Sequence, residues 1–563
     1  MPDNSEKLYS TAGRSKWKIQ RAKRPSQVVR QPALDPRVSR LERLPAELLM
    51  MIFDYIPEHM MLAVSFTCGA FYNVGYPNAH RSLSLHFDDY GLLHNRWRQR
   101  DFYYIQNLEF TYDSTMCSLG DGRQTGPGSL LEDSSALEGL LRLDRVKGLR
   151  FNYYLPDGHF DEHQLNSATH FMNLAMHCSN LASLAIQLPP ALLRSPNFQS
   201  AFECINKLRW LDVQFQLSSL TIDRDTPPIS KADVRPIWDI VRASKATLIS
   251  IRLCLNRIYP ARPEHLANPQ PLGVVYHRNY QRYIRNVLPT SPAVWETPLN
   301  LKEFKLQGYS SANSSYLHSG CLNFTILESL SLIDCPSRLP ADSCLRMVTK
   351  NINLLTNLKH LEIRRVEDCN EALEAALREL SPLESLRVEV WSTSRRIYTS
   401  CLERHKRSLK VLWVEYSNRE TAGHTDPASE PPSTDFSEFE ALEQLAVPVR
   451  GSKLERIRIP AKLRFLRFLG DNRVRGDRAL YHIDYYTRIV NKYRRYQSQI
   501  SADGESKLEM FAISKYYIQV YFMDVPNVYR IAADTKGIYR YRTSLESLTN
   551  SQIRKIWDDV QIL

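Results

Sequence analysis

The sequence predicts an α/β chain: a short N-terminal helical segment, then an irregular solenoid with parallel strands inside and helices outside. Three observations lead there. A pattern of leucine, two residues, apolar, one residue, apolar recurs along most of the chain. Apolar residues at helical spacing fill several of the gaps. Two short helical stretches with surplus apolar surface precede the first copy.

The clear copies begin with Leu181-Leu184-Ile186, Leu208-Leu211-Val213 and Leu248-Ile251-Leu253. They continue through Leu301-Phe304-Leu306, Leu327-Leu330-Leu332, Leu358-Leu361-Ile363 and Leu383-Leu386-Val388. Leu409-Leu412-Val414, Leu442-Leu445-Val447 and Leu463-Leu466-Phe468 complete the set, with Leu508-Phe511-Ile513 as a last copy. Leu108 with Phe110 and Leu149 with Phe151 read as shorter copies lacking the middle apolar residue. From Leu181 to Leu463 the first leucines are 27, 40, 53, 26, 31, 25, 26, 33 and 21 residues apart. Several values fall near the roughly 20–29-residue period of leucine-rich repeats. The final alternating pair of each copy is a short strand that buries every second side chain.

Between strands, Val234, Ile237 and Val241 share a helical face. So do Leu345, Val348, Ile352 and Leu355, and then Leu373, Leu377 and Leu380. Strand alternating with helix implies parallel pairing. One such unit cannot hide its own apolar face, so its neighbours must stack on it. The solenoid is expected over residues 81–515, with insertions at 118–135, 256–298 and 417–437 and a C-terminal cap at 516–563. Residues 1–40 read as a basic, disordered tail, with ten Lys or Arg against three Asp or Glu.

The helical segment covers residues 41–80. Pro45 suits a first helical turn, where its missing N–H is no loss. Leu48, Leu49, Ile52, Phe53 and Ile56 then recur at helical spacing, and Pro57 stops the helix. A second stretch carries Met61, Leu62, Val64, Ser65, Cys68 and Phe71. Leu44, Pro45, Glu47, Leu48, Ile52, Phe53, Tyr55 and Pro57, followed by Ser65, Cys68 and Phe71, closely resemble the F-box motif. Gly69 and Met60-Met61 depart from its common pattern. The layout is similar to fungal F-box proteins with degenerate leucine-rich repeats. Of the Asn or Cys that such repeats often place after the last apolar position, only Asn256 and Cys335 are present.

The resemblance implies a substrate-recognition adaptor of an SCF-type E3 ubiquitin ligase. It would bind a Skp1-like protein, and through it a cullin, while the repeats hold a protein target. Leu44, Pro45, Leu48, Ile52, Val64 and Phe71 would face the adaptor. On the inner strand face, the non-core positions Glu362, Arg364, Arg387, Glu389, Trp413, Glu415 and Arg467 are candidates for target binding. Exposed Trp and Arg are common interface anchors.

Enzyme chemistry is not expected. There is no GxSxG elbow, HExxH pair or phosphate-binding GxxxxGK loop. Gly120, Gly122 and Gly126 miss the dinucleotide spacing by one. His159 and His163 lack further ligands nearby, and Cys401 near His405 lacks an acyl-transfer context. Neither a cofactor nor a metal is expected. No signal-like N-terminus and no long uncharged apolar run occurs, and ten cysteines are scattered without a CxxC pair. The expectation is a reducing compartment, cytoplasm or nucleus, with no membrane partner.

Two alternatives stand beside the ligase reading. One is a non-degradative F-box scaffold. The other is a nucleic-acid-binding protein, from the formal charge of +12, the basic tail and the Arg/Tyr-rich stretch 471–497. Leu480, Ile483, Tyr486 and Ile489 or Val490 share one helical face, which favours a packed cap there and makes nucleic acid the weaker partner.

Overall fold

The computed structural model describes residues 44–53, 56, 58–87, 104–113, 143–154, 175, 177–188, 205–218, 231–258, 298–308, 322–333, 335, 348–367, 370–391, 399–417, 435–448, 457–469, 492–493, 495–500, 508, 510–514 and 527–530. The expected basic tail, the insertion at 118–135 and most of the other insertions lie outside them. The chain divides into two compact units, Met1–Tyr76 and Pro77–Leu563.

The first unit is built from α1 (Ala46–Phe53), α2 (Glu58–Ser65) and most of α3 (Gly69–Ala79), whose residues from Pro77 on belong to the second. Sequence spacing suggests two helices here; the structure has three, because the second stretch breaks after Ser65. Ser65 Oγ donates to Met61 O at 2.6 Å and Thr67 Oγ1 to Val64 O at 2.7 Å. Side-chain hydroxyls that bond backbone carbonyls compete with helix continuation. Cys68 then opens α3: its Sγ accepts the Phe71 N–H at 3.4 Å, as an N-cap does. Pro45 supplies the carbonyl for the first α1 hydrogen bond, from Leu49 N at 3.1 Å.

The core of this unit is small: Leu49, Phe53 and Val74 are buried, with Leu44, Ile56, Met61, Val64, Ala70 and Phe71 packed around them. Phe53 and Phe71 meet edge to face, with ring centroids 5.8 Å apart. Gly75 allows this packing, since a Cβ there would overlap the Phe53 ring and Ser65 Oγ. Gly75→Ala is therefore expected to destabilise the helical unit by about 1–3 kcal/mol despite alanine's better helix propensity. Loss of helical circular dichroism at lower temperature checks it; an unchanged or raised melting point would refute the close approach.

The second unit holds β1 (Ser82–Phe87), β2 (Asn107–Asp113), β3 (Gly148–Tyr154), β4 (Ser183–Leu188), β5 (Trp210–Ser218), β6 (Ser250–Ile258), β7 (Glu303–Gln307) and β8 (Ser329–Ile333). It continues with β9 (His360–Glu367), β10 (Ser385–Trp391), β11 (Val411–Ser417), β12 (Gln444–Pro448), β13 (Phe465–Leu469), β14 (Met510–Ser514) and β15 (Asn527–Arg530). Among the described residues these fifteen strands form one sheet whose order is the sequence order. Every pairing from β1 to β14 is parallel; β15 closes the sheet antiparallel to β14. The class is α/β, with α4 (Lys231–Ala243) and α5 (Asn370–Glu379) among the connections.

The middle apolar residue of every copy lies in register with the next. Leu184 pairs Leu211, Leu211 pairs Ile251, and the row runs on through Phe304, Leu330, Leu361, Leu386, Leu412, Leu445 and Leu466 to Phe511. The same register corrects the two short copies. Leu108 and Leu149 pair with this middle row, so the first positions are Ile105 and Val146, buried at 1% and 0% exposure. Those copies are complete, with β-branched residues in place of leucine. Helix residues Ile237, Ile240, Val241, Leu373, Ala376 and Leu377 join the strand leucines in one continuous core. Two expected insertions are shorter than read: β6 takes residues up to Ile258, and Asp435 already bridges Arg458 with Phe436 buried.

Within the second unit, successive copies are joined edgewise by a repeated hydrogen-bond device. The carbonyl just before each strand register accepts two successive amides of the next copy: Arg81 O takes Gln106 N at 2.8 Å and Asn107 N at 3.0 Å. Gln106, Lys147, Ala182, Arg209 and Ile249 do the same, and so do Lys302, Glu328, Lys359, Glu384, Lys410 and Glu443. Connections are pinned by buried polar side chains. Gln497 Nε2 donates to Pro460 O at 3.0 Å and Leu463 O at 2.8 Å, while its Oε1 accepts Leu508 N–H at 3.1 Å. Cys335 Sγ reaches Leu306 O at 3.6 Å and Ile333 O at 3.3 Å.

Candidate functional site

The helical unit exposes several large apolar side chains among its described residues. In α1, Leu49 and Phe53 point inward, while Leu48 at 46%, Met51 at 59% and Ile52 at 40% exposure form the opposite face. Residues four apart share a helix face, so the helical spacing divides into two stripes one residue out of phase. Met60, Leu62 and Phe66 are also exposed. Phe66 sits in the turn after α2 beside Tyr72 and Tyr76, which stack at 4.8 Å. Among the six residues implied to face an adaptor, Pro45, Leu48 and Ile52 are exposed. Leu44, Val64 and Phe71 are half-buried against the small core. Met51, Met60, Leu62 and Phe66 were not singled out by the motif; their large apolar side chains at surface spacing were the available signal.

On the sheet, the seven candidate target-binding residues are brought into one cluster. Glu362, Arg387 and Trp413 are register neighbours on β9, β10 and β11, and Ala446 links that row to Arg467 on β13. Two residues further along, Arg364 pairs Glu389 and Glu389 pairs Glu415. The expectation was an open face with Trp413 as an exposed anchor. Trp413 is instead 6% exposed, and Glu389, Glu415 and Arg467 are buried with it.

The cause is that the charges fold onto the indole. The guanidinium groups of Arg387, Arg467 and Arg364 lie 4.3, 5.1 and 5.4 Å from its ring centre. Small Ala446 lets Arg467 reach across. Long basic side chains cover apolar surface well and stack favourably on aromatic faces. The indole N–H donates to Glu415 at 3.2 Å. Arg364 Nε donates to Glu389 at 3.2 Å, Glu362 lies 3.8 Å from both Arg364 and Arg387, and the Ser331 hydroxyl donates to Glu362.

Three arginines thus face three glutamates in a self-neutralised cluster. Burial pulls the Arg387 guanidinium down to about 10, with Arg364 and Arg467 adding to the fall and Glu362 and Glu415 opposing it; it remains a cation at neutral pH. Burial pushes the Glu362 carboxyl up, but Arg387, the Ser331 hydroxyl, Lys305 and Arg364 outweigh that and hold it below its usual range.

Nucleophilic chemistry finds no support in the described thiols. Burial pushes Cys178 and Cys401 up to about 12 and Cys254 to about 11, so all three stay protonated. His405 does not activate Cys401. Its Nδ1 accepts Leu383 N–H at 3.0 Å, so its Nε2–H donates to Leu377 O at 2.8 Å. Among the described residues no group of three or more His, Cys, Asp or Glu could hold a metal ion, and no helix is long and apolar enough to cross a membrane. His159, His163, the glycines at 120–126 and residues 471–491 lie outside the described residues. Beyond them, Tyr493 is buried in the sheet's core and Tyr496 packs against it.

No family model matches this chain. No curated protein matches it either. The functional reading rests on residues and geometry.

Strand entry carries a second array that the repeat pattern did not flag. Lys302 lies 2.8 Å from Glu328, Lys359 3.2 Å from the same carboxylate, Lys410 2.8 Å from Glu384, and Arg464 3.9 Å from Glu443. All are the residue directly after the first leucine of a copy, so the alternation of sign was readable at a fixed offset from the motif.

Proposed function

We propose that this chain is a non-catalytic recognition subunit of an SCF-type ubiquitin ligase. In this reading residues 44–79 are an F-box that docks on a Skp1-like adaptor, and the sequentially ordered parallel sheet is a leucine-rich-repeat solenoid that holds a protein target. The observation that carries it is the exposed stripe of Leu48, Met51 and Ile52 beside a small core that includes Leu49, Phe53 and Val74. Three short helices with so small a core and so much bare apolar surface gain stability by docking that face on a partner.

The test is co-purification of the full chain with a Skp1-like adaptor, wild type against Leu48→Glu/Ile52→Glu. Both residues point away from the core, so the variant should keep its helical circular dichroism. Two buried anchors at about 2 kcal/mol each predict a loss of affinity of roughly a thousandfold. Leu44 is a poorer probe, because it packs against the core. A wild type that does not bind, or a folded variant that binds equally well, would remove the ligase reading.

A further inference from the structure

We infer that the strand-entry edge of the first half of the sheet, at Arg81, Lys147 and Arg209, is a docking surface for an extended acidic protein segment. The inference rests on the reading of the sheet as the partner-holding part of the chain, and names the class of partner and the place where it sits.

The edge row is built by the carbonyls that accept two amides from the following unit, and alternate positions in it are basic. In the second half the intervening positions are Glu328, Glu384 and Glu443, and each is ion-paired to a neighbouring basic residue of the row. In the first half the intervening positions are Gln106, Ala182 and Ile249, and none carries charge. Arg81, Lys147 and Arg209 are all exposed, and among the described residues none has a carboxylate within ion-pair distance. Arg81 Nε donates to the neutral Gln106 side chain at 3.1 Å, which holds the cation in place without cancelling it. Two glutamates on the neighbouring strands are engaged elsewhere: Glu109 lies 3.8 Å from Arg150, and Glu303 3.9 Å from Arg252. Among the described residues, one edge is thus neutralised from within over half its length and keeps its basic side chains without ion pairs over the other half.

The spacing selects the partner's conformation. Neighbouring strands lie about 4.8 Å apart, so alternate positions are roughly 10 Å apart along the edge. A polyproline-type helix repeats every three residues at about 3.1 Å each, so acids at every third residue present carboxylates roughly 9 Å apart on one side. A β-strand would turn every third side chain to the opposite face. Trp210 adds an aromatic platform at the same place. It is 40% exposed, Arg209 lies 4.8 Å over its ring, and its register neighbours are the small Ser183 and Ser250. Bare aromatic rings are how proline-rich extended segments are commonly held.

The experiment uses the full chain and labelled peptides of equal length and charge: one repeating Glu-Pro-Ala, one with the same glutamates in a single block. Fluorescence anisotropy should show the spaced peptide binding more tightly than the blocked one, and weakening as salt is raised. Arg81→Glu/Lys147→Glu/Arg209→Glu should weaken it by at least about tenfold, a change of about 1.4 kcal/mol. Trp210→Ala should weaken it several-fold, and Arg407→Glu, a distant exposed control, should leave it unchanged. No binding by the wild type, or equal binding by the folded triple variant, overturns the proposal. So does full displacement by a single-stranded RNA that binds more tightly than either peptide, which would make the edge a nucleic-acid site. Adaptor co-purification of the triple variant is the separate readout: it should match the wild type, so loss of peptide binding and loss of the ligase reading are told apart.

Discussion

Trp413→Ala is expected to destabilise the repeat sheet by about 3–5 kcal/mol, the range for removing a large buried aromatic side chain. The indole is the common floor for Arg387, Arg364 and Arg467, whose guanidinium groups all lie within 5.4 Å of its ring centre. Without it, three like charges lose their shared stacking surface, and Glu415 loses the 3.2 Å bond from the indole N–H. Trp413→Phe keeps an aromatic face but not the donor, so it should lose less, about 1–2 kcal/mol from the lost hydrogen bond to a buried carboxylate. Urea unfolding measures both as shifts in midpoint at constant slope. A Trp413→Ala shift worth under about 1 kcal/mol would show that the cluster is not a stabilising unit. The same geometry changes how charge reversals at Arg364, Arg387 and Arg467 should be read. Reversal at Arg364 or Arg387 removes a cation beside Glu389 or Glu362, and reversal at Arg467 places a carboxylate against buried Trp413, so a loss of target capture there would first report on folding.

His405→Ala should cost about 2–4 kcal/mol, because it strips the Leu383 N–H and the Leu377 carbonyl of their partner at a site with no solvent access. His405→Gln is the informative companion. A glutamine amide can donate to the carbonyl and accept from the amide, as Gln497 does for Leu463 O and Leu508 N–H. It should recover most of the loss. It should also remove a pH dependence. Burial, with Arg404 adding, holds the His405 imidazole below its ordinary value of 6.5, against the opposing hydrogen bond to Leu377. A depressed folded value means that the unfolded chain takes up the proton first. The histidine's full contribution is therefore present above pH 6.5 and declines as the pH falls from there through the depressed folded value. Between neutral pH and pH 5 the wild type should lose more stability than His405→Gln. Parallel pH profiles for the two proteins would show that the imidazole is not the titrating group.

Much of the sheet was legible because its signal is periodic. The middle residue of each copy, from Leu184 to Leu466, falls in the register row that its spacing implies. Leucine is not the requirement at the first position, since Ile105 and Val146 fill it with equal burial. A core position demands apolar volume, and a β-branched side chain supplies it. The break after Ser65 was hidden for a different reason: hydroxyl back-bonds to Met61 and Val64 depend on side-chain direction, not on spacing.

By itself, the sequence determined the strands that carry the repeated pattern, β2 to β14, and their two faces, because side-chain period is a local property of the backbone; β1 and β15 carry no copy of it. It also determined the alternating charges one residue after the first leucine of each copy from Leu301 to Leu463. Only the tertiary structure decided whether polar strand positions stay open. Glu362, Arg387, Trp413 and Arg467 occupy outward positions by period, yet Trp413 is buried because residues distant in sequence stack their cations on its ring. Arg81, Lys147 and Arg209 occupy polar positions at strand entry and are exposed, and their row neighbours Gln106, Ala182 and Ile249 bring no opposite charge. Burial of a charge depends on which partner lies across the sheet, and spacing along one strand does not specify that partner.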